Sequence, residues 1–499
     1  DTIISLVFTC LAVFINLIPA ILNGQNIYIW SIVTCVYITV MTLVLIEGLN
    51  VKCFAAGVGC VGGVLVAGAL ELLLRDQIKM SGVLDSEWLY LYNLRKDNPI
   101  DLKAIIFAMI IVGAVGAAFE HALEWATETR QEQSWTLYFL PLVGLFIAFW
   151  YSRMDMPLER GTNFILTSVR QDHPVRLRLA PSIFITSVLT HLCGGSAGRE
   201  GAALQIGGSL AATLGRGLRL DERGMNMAVL CGMSALFTAL FGTPLGATVF
   251  SLEVVSVGIL HYSAFFPALF SGLVSLGVTH LMGLSPAGWP LLGLPDLTPL
   301  ALLQVGVLGA GCGLVAILFC AAMHTAARQY KRLLPNPYLR ILAGAALVIA
   351  LTLLEGSGTY NGAGSAFIGA VLAGTPAAPW AFLLKILFTA LTLGAGFRGG
   401  EIVPTFFIGS AFGSALAPLL GLDPAFGAAI GLIALFCGVV NCPLASIFLS
   451  VELFGSSGLL FFALACALSY LLSGKFSLYS AQKLVYSKLE PRYIDQMAK

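Results

Sequence analysis

A glutamate beside an arginine, in a glycine-rich break between two apolar runs, is the residue best placed for chemistry. Glu200 lies in the segment 194–201, which reads GGSAGREG. A charged side chain between runs of membrane-spanning character is costly and is a functional candidate by default. Glycines let the backbone leave helical geometry, and a helix that begins there turns its positive end toward an anion. The carboxylate could take the anion's place until it is protonated. The alternative is that Glu200 only caps the following helix.

A second break of the same kind follows about 200 residues later, where the segment 394–401 reads GAGFRGGE. Downstream of the two breaks, GTPLGATVFSLE at 242–253 matches NCPLASIFLSVE at 441–452. The offset is 201 residues from Glu200 to Glu401 and 199 residues from Pro244 to Pro443. Two matched blocks at nearly one offset indicate an internal duplication, and we expect the two copies to be inverted relative to each other.

The other candidate residues each keep two interpretations. Glu401 could have a functional role at an anion site, as Glu200 could, or could only cap a helix. Glu253 and Glu452 lie at matching ends of the repeat, which favours a shared structural role at a helix end. Tyr479 could donate a hydrogen bond to an anion or belong to an interfacial aromatic belt. The 11 cysteines form no C-x-x-C pair, so we interpret them as small buried residues and predict neither a metal nor a cofactor.

The composition indicates the environment in which these residues must work. Of 499 residues, 58% are hydrophobic and 11% are charged, whereas soluble proteins are roughly a quarter charged. The mean hydropathy is +0.89. We therefore expect an all-α, multi-pass protein of the plasma or inner membrane, in contact with the lipid bilayer. The 27 basic and 26 acidic residues nearly balance, which gives no reason to propose a nucleic-acid partner.

The elements that position the candidates are membrane helices of two kinds. A spanning helix needs about 20 apolar residues, and such runs lie near 2–22, 27–47, 52–74, 102–126 and 135–151. After residue 180, Gly, Ser and Pro interrupt the apolar runs. Broken hydrophobic segments at corresponding positions of two halves are typical of a transporter site near the membrane midplane.

The motifs also resemble those of a known family. GREG at 198–201 is similar to the motif of the CLC chloride channel and transporter family, whose glutamate is the gating carboxylate. GGEIVP at 399–404 resembles the family's second anion-binding loop, and GKFSLYSA at 474–481 resembles its final loop, with an anion-coordinating tyrosine. The resemblance covers about residues 118–487. It implies the CLC-type fold, in which two inverted repeats of broken helices meet at a midplane anion site, and a homodimer with one pathway per subunit.

Within the family, the resemblance favours the fluoride–proton antiporter branch, CLC-F. GTNFI at 161–165 is similar to that branch's G-N-N-L-I, and Glu401 matches its G-G-E-V-T-P. Val254 stands where chloride–proton exchangers carry an internal proton glutamate. Two residues depart from the branch pattern, since Thr162 replaces the first asparagine and Val403 replaces the threonine.

The resemblance implies a secondary active transporter, a fluoride–proton antiporter that exports fluoride. The alternative, favoured by Val403 and Thr162, is a chloride–proton exchanger or a passive chloride or anion channel. Glu200 would be the gating and proton-carrying glutamate. The residues implied in anion binding are Gly161, Thr162, Asn163, Gly198, Arg199, Gly201, Gly400, Glu401, Ile402, Val403 and Tyr479.

Residues 1–116 show a different resemblance, to YibE/F-like membrane proteins, carried by NPIDLK at 98–103 and by the apolar runs 57–69 and 106–116. We therefore expect extra N-terminal transmembrane segments of unknown role at 1–100 and a transport domain at 101–487. That domain would contain one repeat at about 101–285 and another at about 300–487, followed by a short polar tail at 488–499.

Two other functional classes share this composition. An intramembrane enzyme would need a paired nucleophile and base or a motif such as H-E-x-x-H, and the sequence contains neither. A purely structural subunit would not need two matched breaks that carry Arg and Glu. We therefore predict a protein that is not an enzyme.

Overall fold

The computed structural model describes residues 102–154, 156, 161–171, 175–286, 288–490 and 492–498. The chain divides into a unit at 1–100 and a unit at 101–499, and the structure described below belongs to the second. The spans predicted at 2–22, 27–47 and 52–74 lie outside the described residues.

The first half of this unit contains eight α-helices among the residues described. They are α1 (Leu102–Glu132), α2 (Leu140–Arg153), α3 (Gly161–Gln171), α4 (Leu179–Leu192), α5 (Glu200–Gly217), α6 (Glu222–Phe241), α7 (Pro244–Glu253) and α8 (Phe265–Leu281). Short 3₁₀ turns at Ser134–Phe139 and Tyr262–Ala264 precede α2 and α8. The predicted spans at 102–126 and 135–151 are confirmed as helices of spanning length.

The second half repeats this pattern of long and short helices. It contains α9 (Pro299–Leu333), α10 (Pro337–Glu355), α11 (Ser365–Leu372), α12 (Ala381–Ala395), α13 (Ile402–Leu416), α14 (Pro424–Val440), α15 (Pro443–Phe454) and α16 (Leu459–Leu472), with a 3₁₀ turn at Ala417–Leu420. Within the described ranges, seven helical segments are long and apolar enough to cross a membrane, and five further apolar helices are shorter. The expected mixture of full spans and broken helices is therefore present.

The duplication is visible in how two helix pairs pack. In the first half a Cβ on Gly207 would lie 2.2 Å from the Gly232 carbonyl oxygen, and in the second half a Cβ on Gly409 would lie 2.4 Å from that of Gly431. Helix α5 therefore contacts α6, and α13 contacts α14, backbone against backbone. Small residues permit this close approach between membrane helices.

The proline-led helices α7 and α15 begin in the same way. Each follows a helix that ends in the left-handed conformation, at Gly242 with φ 68° and at Asn441 with φ 57°. Glycine tolerates this conformation, asparagine is the next most common choice, and proline suits the first helical turn. The sharp turn at each block is thus encoded locally in both repeats.

Glu253 and Glu452 join α7 and α15 reciprocally. The Glu452 carboxylate accepts hydrogen bonds from the backbone N–H groups of Leu245 at 2.8 Å and Gly246 at 2.7 Å, in the first turn of α7. The Glu253 carboxylate accepts from Leu444 at 3.3 Å and Ala445 at 2.9 Å, in the first turn of α15. The predicted structural role at a helix end is confirmed. Each glutamate therefore caps the N-terminus of the helix in the other repeat.

A small three-stranded sheet, which the sequence analysis did not predict, closes the C-terminal region. Strand β1 (Ser256–Val257) pairs in parallel with β2 (Lys483–Tyr486), which pairs antiparallel with β3 (Tyr493–Met497). Val257, Leu484 and Ala498 form its buried apolar cluster. The tail is therefore packed against the transport unit.

Candidate functional site

The two glycine-rich breaks meet as a pair of backbone hydrogen bonds. The Gly198 N–H donates to the Gly400 carbonyl at 2.7 Å, and the Gly400 N–H donates to the Gly198 carbonyl at 2.6 Å. A Cβ on Gly400 would lie 2.5 Å from the Gly201 nitrogen and 2.8 Å from the Glu200 nitrogen. Only glycine fits this approach, which places the N-termini of α5 and α13 side by side.

Glu200 is fully buried at the start of α5. Its Oε2 accepts hydrogen bonds from the backbone N–H of Val403 at 3.1 Å and from that of Arg199 at 3.1 Å. Arg199 is the N-cap residue of α5 and its own side chain makes no capping hydrogen bond, so the Glu200 carboxylate serves one N–H at the start of its own helix and one in the other repeat. The carboxylate thus occupies the first turn of α13 in the other repeat. A helix N-terminus is a place where an anion is favoured.

Arg199 is shared between two acidic side chains. Its Nε lies 3.6 Å from Glu200 Oε1, and its Nη1 donates a hydrogen bond to Oε1 of Glu120, a buried residue of α1. The guanidinium also lies 5.7 Å from the centre of the Phe241 ring. The sequence analysis missed Glu120. The available signal was an acid inside the apolar run at 102–126, which predicts a buried partner of opposite charge.

Glu401 and Thr162 converge on the backbone of Gly201. A Cβ on Gly201 would lie 2.8 Å from Glu401 Oε2 and 2.8 Å from Thr162 Oγ1. The Thr162 hydroxyl donates to the Gly201 carbonyl at 3.4 Å. The Glu401 side chain makes no capping hydrogen bond to α13; only its backbone carbonyl accepts, from Thr405. The capping interpretation of Glu401 is therefore wrong.

The loop that carries Tyr479 is joined to the start of α3. The Ala481 N–H donates to Asn163 Oδ1 at 2.9 Å, so that side-chain oxygen is engaged within the protein. Gly161, the first residue of α3, has a positive φ of 41°. Tyr479 is buried.

The twelve residues predicted for the site thus belong to four chain breaks that the structure brings together. Three buried oxygen atoms in these breaks have no hydrogen-bond partner among the described residues: Glu200 Oε1, Glu401 Oε2 and the Tyr479 hydroxyl. Ile402 and Val403 form the first turn of α13, and the Val403 N–H is the one that Glu200 occupies. Backbone donors, a movable carboxylate and free polar atoms can together bind an anion and exchange it for a proton-carrying side chain.

Comparison with known families identifies the chain. The family model described as Voltage gated chloride channel matches residues 144–474. The chain belongs to this family. A chloride/fluoride channel protein of Pseudomonas syringae pv. tomato is 36% identical over 389 residues, which cover 76% of this chain and 85% of the relative. The H(+)/Cl(-) exchange transporter ClcA of Yersinia pestis is 25% identical over 380 residues, which cover 69% of this chain and 78% of that relative.

Solved structures of the voltage-gated chloride channel family match as well. A CLC-type fluoride/proton antiporter aligns with a TM-score of 0.75 and 33% identity, over 80% of this chain and 99% of that one. A slow cyanobacterial Cl-/H+ antiporter aligns with a TM-score of 0.66 and 20% identity, over 75% and 94% of the two chains. The predicted CLC-type fold and the predicted multi-pass location in the cell membrane are confirmed.

A second family model, YibE/F-like protein, matches residues 1–131. The predicted N-terminal resemblance is therefore confirmed, and it extends beyond residue 116 through nearly all of α1. Helix α1 is one uninterrupted helix of 31 residues. The match to the YibE/F-like family ends one residue before the end of this helix, and the match to the voltage-gated chloride channel family begins at residue 144.

Proposed function

We propose that this chain is a fluoride–proton antiporter that exports fluoride. One observation carries the proposal: Glu200 of the first repeat accepts a hydrogen bond from the Val403 N–H, in the first turn of α13 in the second repeat. An ionised Glu200 holds the position suited to an anion. A proton removes its charge and weakens its hold on this N–H group, so that fluoride can take its place. The side chain then releases its proton to the side from which the fluoride came, returns in its ionised form and expels the fluoride to the opposite side, so that one proton and one anion are exchanged.

The preference for fluoride is supported by Glu401 and by the relatives. A 36%-identical relative is named a chloride/fluoride channel protein, and the solved structure at 33% identity is a fluoride/proton antiporter. Glu401 Oε2 is buried without a partner among the described residues and lies beside Thr162. In its protonated form this carboxyl is a hydrogen-bond donor, which suits a small and strongly accepting anion.

A second candidate is a chloride–proton exchanger or a passive chloride or anion channel. Val403 favours it, because this buried residue has no hydroxyl where the fluoride branch carries threonine. The Thr162 hydroxyl is also directed to the Gly201 carbonyl.

The individual roles of the site residues form part of the proposal. The backbone N–H groups of Ile402 and Val403 would bind the anion, with the Tyr479 hydroxyl as a further donor. The N–H groups of Gly198 and Gly400 already donate to each other's carbonyls, and the Thr162 hydroxyl donates to the Gly201 carbonyl, so these predicted anion contacts are not available in this arrangement. We propose that the transport domain is 101–487 with repeats at about 101–285 and 300–487, and that two copies form a homodimer with one pathway each.

The deciding measurement is fluoride and chloride efflux from proteoliposomes, with the internal pH followed at the same time. Fluoride efflux that drives protons uphill into the vesicle, with little chloride flux, is expected. Chloride flux of similar size would favour the second candidate. Fluoride flux without proton movement would contradict the antiporter and leave a passive pathway.

A further inference from the structure

Gln482 is the centre of a buried hydrogen-bond network that no part of the proposed transport mechanism uses. Its side chain is fully buried between the two repeats. The amide Nε2 donates to the Val254 carbonyl at 3.1 Å and to the Val440 carbonyl at 2.7 Å. Its Oε1 accepts from Asn441 Nδ2 at 3.1 Å and from the Ser477 hydroxyl at 2.9 Å. All four hydrogen-bonding positions of the amide are therefore filled.

The donor and acceptor roles in this network are fixed from one end, where Lys488 can only donate. The Lys488 ammonium, which can only donate, contacts Asn441 Oδ1 as well as the Tyr470 carbonyl at 2.8 Å and Ser473 Oγ at 2.9 Å. The Asn441 Nδ2 group must then face Gln482 Oε1. The Gln482 amino group consequently faces the two backbone carbonyls, which can only accept.

The near end of the network fixes the backbone of Tyr479. The Ser477 hydroxyl donates to Gln482 and accepts from the Tyr479 N–H at 3.1 Å. The Gln482 N–H donates to the Tyr479 carbonyl at 2.9 Å. Both backbone polar groups of Tyr479 are thus bound, one through Ser477 to the Gln482 side chain and one to the Gln482 backbone, whereas its buried hydroxyl has no partner among the described residues.

The network therefore immobilises the tyrosine backbone and leaves its phenol available to a ligand. Its anchors lie in both repeats, because Val254 is the C-cap of α7 and Val440 ends α14. Completely satisfied buried networks specify one geometry, and a half-satisfied network is costly. A site held in this way loses affinity when a supporting residue is removed, even though that residue does not touch the ligand.

We propose that Gln482 is a positioning residue that determines anion affinity by holding the Tyr479 hydroxyl in the pathway. The inference rests on the proposed function in one respect only, that Tyr479 contacts the anion. It does not require the transport to be coupled to protons.

The test is a double-mutant cycle on anion binding, measured by titration calorimetry of the full-length protein in detergent with fluoride and with chloride. Gln482→Met is expected to weaken binding about tenfold or more, the scale of one hydrogen bond to a charged ligand. Tyr479→Phe should weaken it by a similar factor. In the Tyr479→Phe background, Gln482→Met should have little further effect, because the hydroxyl that it positions is already absent.

Two further variants keep the test informative if Gln482→Met does not fold. Ser477→Ala removes a single link between Gln482 and Tyr479 and should shift affinity in the same direction by a smaller factor. Gln304→Met changes a partly buried glutamine of α9 outside the four breaks and should leave affinity unchanged. Monodispersity on size exclusion identifies variants that are misfolded.

Equal weakening by Gln482→Met with and without the tyrosine hydroxyl would overturn the inference, since it would show general destabilisation. Unchanged affinity in Gln482→Met and Ser477→Ala would overturn it as well, and so would a wild-type protein that binds neither anion. A wild-type protein that binds anion but moves no protons would contradict the antiporter alone. The binding cycle would still decide the role of Gln482.

Discussion

Two pairs of matched glutamates show opposite behaviour. Glu253 and Glu452 are symmetric, because each carboxylate accepts two backbone hydrogen bonds from the other repeat. Glu200 and Glu401 come from equally matched breaks, yet Glu200 accepts from Val403 whereas Glu401 makes no side-chain bond to its own helix. Each of the latter two keeps one unpartnered oxygen among the described residues.

The difference distinguishes a structural pair, Glu253 and Glu452, from a pair in the candidate functional site, Glu200 and Glu401. A symmetric, fully bonded pair holds the two copies together and has no reason to move. An asymmetric pair with unpartnered oxygens has lost the duplicated arrangement, and such buried oxygens leave hydrogen-bonding positions open to a bound ion or water. The following variants test this distinction.

The largest effect is expected for Glu200→Gln. Glutamine has the same size and can still accept from the Val403 N–H, but it cannot take up a proton. Anion flux should persist while proton coupling is lost completely. Simultaneous recording of fluoride efflux and internal pH in proteoliposomes measures both, with Glu253→Gln as a buried control. Retained uphill proton uptake would remove Glu200 from its proposed role.

Glu401→Gln should reduce the rate of fluoride efflux about tenfold, or roughly 1.4 kcal/mol, because a weaker amide donor replaces the protonated carboxyl that is proposed to donate to fluoride. The proton-to-fluoride ratio should remain that of the wild type, measured in the same assay. Loss of proton coupling, as expected for Glu200→Gln, would mean that Glu200 and Glu401 share one role. The difference between their hydrogen bonds would then have no functional meaning.

Glu253→Gln and Glu452→Gln should each destabilise the protein by about 1–3 kcal/mol, since an amide replaces a charged acceptor of two N–H groups at a helix N-terminus. Thermal midpoints from fluorescence-detected size exclusion should fall by similar amounts in both variants. The coupling ratio should stay unchanged. A Glu253 or Glu452 variant that is stable but has lost the coupling of fluoride to proton transport would show that this pair has a role in transport and not only in stability.

The smallest effect is expected for Val403→Thr. The backbone N–H that contacts Glu200 is retained and a hydroxyl replaces one methyl group, so the fluoride-to-chloride flux ratio should change by about two- to tenfold, within the value of one hydrogen bond. Val403→Ala, which removes both methyl groups and adds no hydroxyl, controls for the loss of apolar volume. An identical ratio in Val403→Thr and the wild type would place this side chain outside the pathway.

The duplicated parts of the molecule were predictable from the sequence because they depend on local signals. Glycine and proline mark the same breaks at offsets of 201 and 199 residues, and the CLC-type fold followed from these motifs. The starts of α7 and α15 are likewise encoded locally, by a left-handed C-cap on the preceding helix and a following proline.

What escaped prediction depends on partners that are distant in sequence. Nothing near Glu120 indicates that it meets Arg199, 79 residues away. The sequence placed Glu253 and Glu452 at helix ends but could not show that each serves the opposite repeat. Gln482 was not singled out, because a buried amide and an exposed one look alike in a sequence that does not show the carbonyls around them.

The paired hydrogen bonds between Gly198 and Gly400 also restrict how the protein can move. Many transporters alternate their access by rocking one repeat against the other as rigid bodies. Here such a rotation would break the two hydrogen bonds between Gly198 and Gly400 together with the four that Glu253 and Glu452 accept. Rocking one half against the other would therefore cost six hydrogen bonds between the repeats, whereas moving the Glu200 side chain out of its position breaks only the two that its carboxylate accepts.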